Sequence, residues 1–156
     1  MDNSNNIAPI NEDLNVAKYE EENIKDLIYN IRGKQVMLDS DVAKLYKYKT
    51  KALNLAVKRN SERFPEEFCF QLTENEIESL RFQIETSKDE IRIISNKRGG
   101  RRYLPYAFTE EGIAMLAGIL KSDKAVSMSI NIIKAFIEMR NFLMMNGQLF
   151  QRLTIL

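Results

Sequence analysis

The sequence predicts an α+β domain in which two short helices joined by a tight turn are followed by a β-hairpin and then by a long C-terminal helix. Three observations lead there. Val42, Ala43, Leu45 and Tyr46 give one helical apolar face, and Leu53, Ala56 and Val57 give a second, with only Lys47-Tyr48-Lys49 as the turn between the two helices. Gly99-Gly100 lies between two extended stretches, 91–94 and 102–108, as a hairpin turn would. A helix-periodic pattern then runs from about 123 to 145. Two helices, a β-hairpin wing and a closing helix make a helix-turn-helix of winged-helix-like character.

The elements follow in order. Residues 1–18 are polar, Asn-rich and without periodicity, which predicts a flexible tail. The domain proper is expected over 19–145, opening with a short helix at 19–27. Strands at 28–31 and 35–38 flank Arg32-Gly33-Lys34, a tight hairpin. Asp39 or Ser40 is the expected N-cap of the first helix, and Thr50 that of the second, which spans about 51–60. Residues 68–72 are β-rich, and Thr73 with Glu76 forms a capping box ahead of a helix over 74–82. Thr109 caps a helix over 110–120 that tolerates Gly112, and Ser122 caps the last helix. That helix carries Phe136, Met139, Leu143, Asn146, Phe150 and Leu153 at alternating spacings of 3 and 4, a heptad seam. Up to Ile137 this face is expected to pack on the domain's own core. Beyond Leu143 it suits a partner helix, so 146–156 is expected to begin a helical or coiled-coil extension and the chain to form a homodimer through it.

The formal net charge of +1 hides a strong pattern. Segments 1–31 and 64–96 each carry −5, whereas 32–63 carries +6 and 97–103 carries +4. Two basic islands therefore stand between acidic stretches, and a local basic surface attracts phosphates. The alternative is that the blocks are ordinary solvated faces. Catalysis is not expected. Histidine is absent, which removes the commonest general base and metal ligand, and the acid pairs Glu66-Glu67, Asp89-Glu90 and Glu110-Glu111 are sequence neighbours whose side chains point apart. No cofactor, metal or small-molecule substrate is expected. The lone Cys69, set in Phe68-Cys69-Phe70, reads as an inert core thiol in a reducing compartment, which suggests the cytoplasm. The N-terminus has no signal-peptide pattern, and the longest apolar stretch, 113–120, is too short for a membrane span.

With Leu53, Ala56 and Val57 inward, the second helix presents Lys51, Asn54, Leu55 and Lys58 as one stripe, with Arg59 beside it. These types suit duplex DNA. Asn54 can bond an adenine edge, Arg59 a guanine edge, and Leu55 can meet a thymine methyl. Lys49, Thr50, Lys51 and Lys58, with the first-turn amides of that helix, suit phosphates. The tip at 97–103 adds Arg98, Arg101 and Arg102 as backbone contacts of a wing. The competing reading is an amphipathic surface helix with solvated lysines, or a surface that binds an acidic protein partner.

The ordered segments Ile31-Arg32-Gly33-Lys34-Gln35-Val36-Met37-Leu38-Asp39, Asp41-Val42-Ala43-Lys44-Leu45-Tyr46, Thr50-Lys51-Ala52-Leu53-Asn54, Ala56-Val57-Lys58-Arg59-Asn60, Arg63-Phe64-Pro65-Glu66-Glu67-Phe68 and Gly99-Gly100-Arg101-Arg102-Tyr103-Leu104-Pro105-Tyr106-Ala107-Phe108-Thr109-Glu110 resemble the ORF6N domain over roughly 24–143. That family is similar to the KilA-N and BRO-N domains of phages and large DNA viruses. The resemblance implies an N-terminal DNA-binding domain of a phage or prophage antirepressor-like regulator, joined to a variable C-terminal region. Two departures stand out. Lys47 occupies a turn position where the family usually has glycine, and 87–98 is longer than usual.

Overall fold

The computed structural model describes residues 24–84 and 103–155. The expected tail, the strand at 91–94 and the Gly99-Gly100 tip lie outside them, as does most of the helix expected over 19–27.

The first hairpin is tighter than expected. Strands β1 (Ile28–Ile31) and β2 (Lys34–Leu38) pair antiparallel, with Ile31 opposite Lys34, so the turn is only Arg32-Gly33. Both turn residues have positive φ, +56° and +70°. That is the type I′ geometry, whose twist matches the strands it joins. Gly33 adopts it freely. Arg32 does so at a cost of roughly 1 kcal/mol, and its side chain offsets that cost. Its Nε and a terminal nitrogen donate to the two carboxylate oxygens of Glu76 at 2.7 and 2.8 Å. Another bond reaches the Gln71 carbonyl, and the guanidinium lies 4.2 Å from the centre of the Phe70 ring. Arg32 belongs by sequence to the first basic island, yet its charge is matched at the surface by Glu76.

This pair makes stability pH-dependent. Hydrogen bonds from Arg32 are the largest influence on the Glu76 carboxyl and hold it below its ordinary value, against an opposing effect of burial. A carboxyl depressed in the folded state stabilises it above the ordinary carboxylate range, and that contribution is lost as pH falls through the folded value. Arg32→Ala should therefore lower the melting temperature near neutral pH and shrink the further fall seen on acidification to about pH 3. An unchanged pH profile would contradict this role.

Helix α1 (Asp39–Tyr46) starts directly at the end of β2. The expected cap is not made. Leu38 is the N-cap, with no side-chain bond, and Asp39 lies inside the helix and fully buried. Lys47 ends the helix in the left-handed region at φ +62°, and the Tyr48 amide donates to the Ala43 carbonyl at 2.9 Å. This six-residue closure is what glycine normally serves, so the lysine carries the strain its position implied. Helix α2 (Thr50–Arg59) follows. Its N-cap is Lys49, not Thr50, again without a side-chain bond. Leu53 is buried, while Ala56 and Val57 are half-buried.

Strand β3 (Cys69–Gln71) leads into α3 (Glu74–Ile84) through the expected reciprocal capping box between Thr73 and Glu76. Strand β4 (Tyr106–Phe108) then enters between β2 and β3, giving an antiparallel sheet of order β1-β2-β4-β3. This corrects only the end of the predicted second arm, because 91–94 and the Gly99-Gly100 tip lie outside the described residues. Both edges of β4 are occupied, so 106–108 does not serve as the second arm of a separate hairpin. Helix α4 (Glu110–Leu120) is capped by the Thr109 hydroxyl, and α5 (Asp123–Ile155) by the Ser122 hydroxyl. Among the described residues the fold is thus α+β, with one four-stranded sheet and five helices. Alternation along the strands divides the core. Met37 and Phe108 face a cluster with Val42, Leu53, Ile113, Leu116, Ile132 and Phe136, built by α1, α2, α4 and α5. Val36, Leu38 and Ala107 face Ile77 and Leu80 of α3 on the other side.

Candidate nucleic-acid interface

Helix α2 is positioned by its single buried anchor and by the short turn from α1. Leu53 sits in the core, so the opposite side of the helix must face outward. Lys51, Asn54, Leu55 and Lys58, the stripe expected from spacing, form one wall of an open groove of ≈ 450 Å³. Phe64, Cys69 and Tyr106 form the other side. Leu55 is 45% exposed, and Lys51 and Lys58 are also exposed. Arg59 and Lys49 are exposed but do not line the groove, and Thr50 is half-buried at the helix start. Arg98, Arg101 and Arg102 lie outside the described residues. A larger groove of ≈ 960 Å³ between α1 and α5 carries Asp26, Asp41 and Asp123 as well as Lys44, Lys47 and Lys124, so no one sign of charge prevails there.

Some cations of the described residues are held in ion pairs and others, those of α2 among them, are not. Arg32, Arg81 and Arg140 are each held by a glutamate, and Lys25 pairs with Glu138. Among the described residues, Lys49, Lys51, Lys58 and Arg59 make no ion pair. The first turn of α2 also has no side-chain cap, so its amides are not closed off by one.

Two residues that spacing did not single out organise this surface. Asp39 is buried behind α2, and its carboxylate takes four hydrogen bonds. Oδ1 accepts from the Ser40 amide at 2.8 Å. Oδ2 accepts from Asn54 Nδ2 at 2.9 Å, from the Tyr106 amide at 3.1 Å and from the Tyr103 hydroxyl. The Tyr103 oxygen in turn accepts from Asn54 Nδ2 at 2.7 Å. Burial, then the bond to Asp39 and its charge, push the Tyr103 phenol up, so it stays a proton donor. Tyr103, the last residue of the second basic island, is thereby fastened to α2. Burial pushes the Cys69 thiol up to about 12, with the Asp39 charge adding to it. A protonated thiol of this kind is a poor nucleophile near neutral pH. Among the described residues no cluster of histidine, cysteine or acidic side chains could hold a metal ion, and no helix is long and apolar enough to cross a membrane.

No curated protein and no solved structure matches the chain. The ORF6N domain matches residues 26–119, which run from before β1 to the last turn of α4. The match takes in the hairpin, α1, α2 and the sheet behind them, and covers more than half of the sequence. This chain belongs to the ORF6N domain family.

Proposed function

We propose that this protein binds double-stranded DNA with sequence specificity through α2 and acts as a phage- or prophage-type, antirepressor-like transcription regulator. It acts by binding, without catalysis. The observation that carries this reading is the outward face of α2, where cations without ion-pair partners among the described residues flank a polar and an apolar side chain. Lys49, Lys51 and Lys58 contact phosphates, joined by the uncapped first-turn amides, while Asn54, Leu55 and Arg59 meet base edges. Arg98, Arg101 and Arg102 contribute further phosphate contacts. Membership of the ORF6N family is consistent with this role.

The test is selection of genomic DNA fragments by the protein, followed by sequencing. Enrichment of one motif is expected. Enrichment of none, together with capture of a protein by the same face, favours the alternative, an interaction module centred on Leu55.

We further propose that a second copy pairs along α5 beyond Leu143. Phe136 is buried in the domain's own core, but Phe142 is 59% exposed and Leu143, Met144 and Met145 are also exposed. A dimer is expected by light scattering after gel filtration, and Leu143→Lys should yield monomers. A wild-type protein that stays monomeric at about 100 μM, well above a micromolar dissociation constant, contradicts this.

A further inference from the structure

We infer that Leu55 reads the methyl group at C5 of a pyrimidine at one position of the site. A C5-methylated cytosine then stands in for thymine there, and cytosine methylation strengthens binding. The inference rests on the DNA-binding reading and deepens it. Leu53 anchors α2 in the core and Val57 is half-buried, whereas Leu55 is left 45% exposed. It stands four residues after Lys51 and three before Lys58, so the three side chains neighbour one another on one face of the helix. Neither lysine makes an ion pair among the described residues. Long lysine side chains reach the phosphates that flank a major groove, and the shorter leucine between them is left against the base edges. Leu55 has no charge and no hydrogen-bonding group, so the feature of a base that it prefers is an apolar one.

In the major groove that feature is a methyl group, and among the four ordinary bases only thymine carries one. A cytosine methylated at C5 carries the same group at the same ring position, while it keeps its N4 amino group and its pairing with guanine. Leu55 therefore meets the two methylated pyrimidines alike. The far side of the groove beside it is lined by Phe64, Cys69 and Tyr106, so the surface around the leucine is largely apolar. A methyl group placed there displaces water from that surface instead of stripping it from a charge. Burying one methyl group is worth about fourfold in affinity.

The experiment measures affinity for duplexes carrying the selected motif. Each thymine is replaced in turn by uracil, and each pyrimidine position is made in turn with cytosine and with 5-methylcytosine. The two members of a pair differ by one methyl group, so their ratio cancels any general loss of stability or affinity in a variant. At one position wild-type protein should bind the thymine duplex about fourfold more tightly than the uracil duplex. At the same position it should prefer 5-methylcytosine to cytosine by a similar factor. Leu55→Ser should bring both ratios close to one, whereas Leu55→Met, which keeps an apolar surface there, should retain them. Leu55 is exposed, so both variants should fold. Circular dichroism and thermal melting check this, and Leu55→Ala replaces a serine variant that does not fold. Wild-type ratios near one at every position overturn this inference alone, as do ratios that survive in Leu55→Ser. A thymine methyl effect with no matching effect of 5-methylcytosine overturns it too. If wild-type protein enriches no sequence, the DNA-binding reading falls, and this inference with it.

Discussion

Gly112→Ala is expected to destabilise the domain by roughly 3 kcal/mol or more, lowering its melting temperature by about 10 °C. A Cβ at this position would stand 2.1 Å from the Phe68 carbonyl oxygen and 3.0 Å from its carbon. That carbonyl cannot retreat freely. It accepts from the Thr109 amide at 3.1 Å and the Thr109 hydroxyl at 3.2 Å, and the same hydroxyl also reaches the Glu67 carbonyl at 2.8 Å. The 66–68 segment and the start of α4 are therefore stapled together at the point where the methyl group would intrude. Gly118, on the same helix, provides the control. Nothing lies within 4 Å of its Cβ position, and it is exposed. Gly118→Ala should stabilise by up to about 1 kcal/mol, the ordinary difference between the two residues in a helix. Urea unfolding of both variants checks the pair. Equal effects would mean that the close approach at Gly112 is not rigid.

Asp39→Ala is the second large effect. It removes one acceptor and strands up to four donors, those of Ser40, Asn54, Tyr103 and Tyr106, around a fully buried site. A cost of roughly 2–4 kcal/mol is expected. Asp39→Asn should be milder. With its oxygen in the Oδ2 place it still serves Asn54, Tyr103 and Tyr106, and only the Ser40 amide loses its acceptor. Unfolding in urea should rank the wild type above the asparagine variant and that above the alanine variant. If alanine costs less than about 1 kcal/mol, the carboxylate does not hold this corner together.

Much of the local structure was legible because it is set by neighbours in sequence. Thr73, Thr109 and Ser122 cap the helices they precede, Glu76 completes its capping box from inside α3, and the Lys51–Asn54–Leu55–Lys58 stripe lies on the outer face that the spacing of Leu53, Ala56 and Val57 dictates. Lys47 takes the left-handed conformation even though it stands where a glycine is usual. What sequence did not reveal depends on distant partners. Asp39 has the composition of a cap, but a tyrosine hydroxyl 64 residues away and an asparagine 15 residues away draw it into the interior. Arg32 counts as basic surface until Glu76, 44 residues on, takes its charge. Gly112 looks merely tolerated in a helix until the Phe68 carbonyl is seen against it. Strand β4 shows no sign in its own three residues that both its edges will be filled.

The claim that α2 holds DNA phosphates is tested most directly by the salt dependence of binding. Affinity for a duplex carrying the selected motif should be measured across a series of salt concentrations for wild type and for Lys51→Ala/Lys58→Ala. Both lysines are exposed and without ion-pair partners among the described residues, so the double variant should fold as the wild type does. Its affinity should fall, and the slope of log K against log salt should become shallower by about 0.9 for each phosphate that is no longer neutralised, or about 1.8 for two. An unchanged affinity and an unchanged slope would show that the duplex is held elsewhere on the protein.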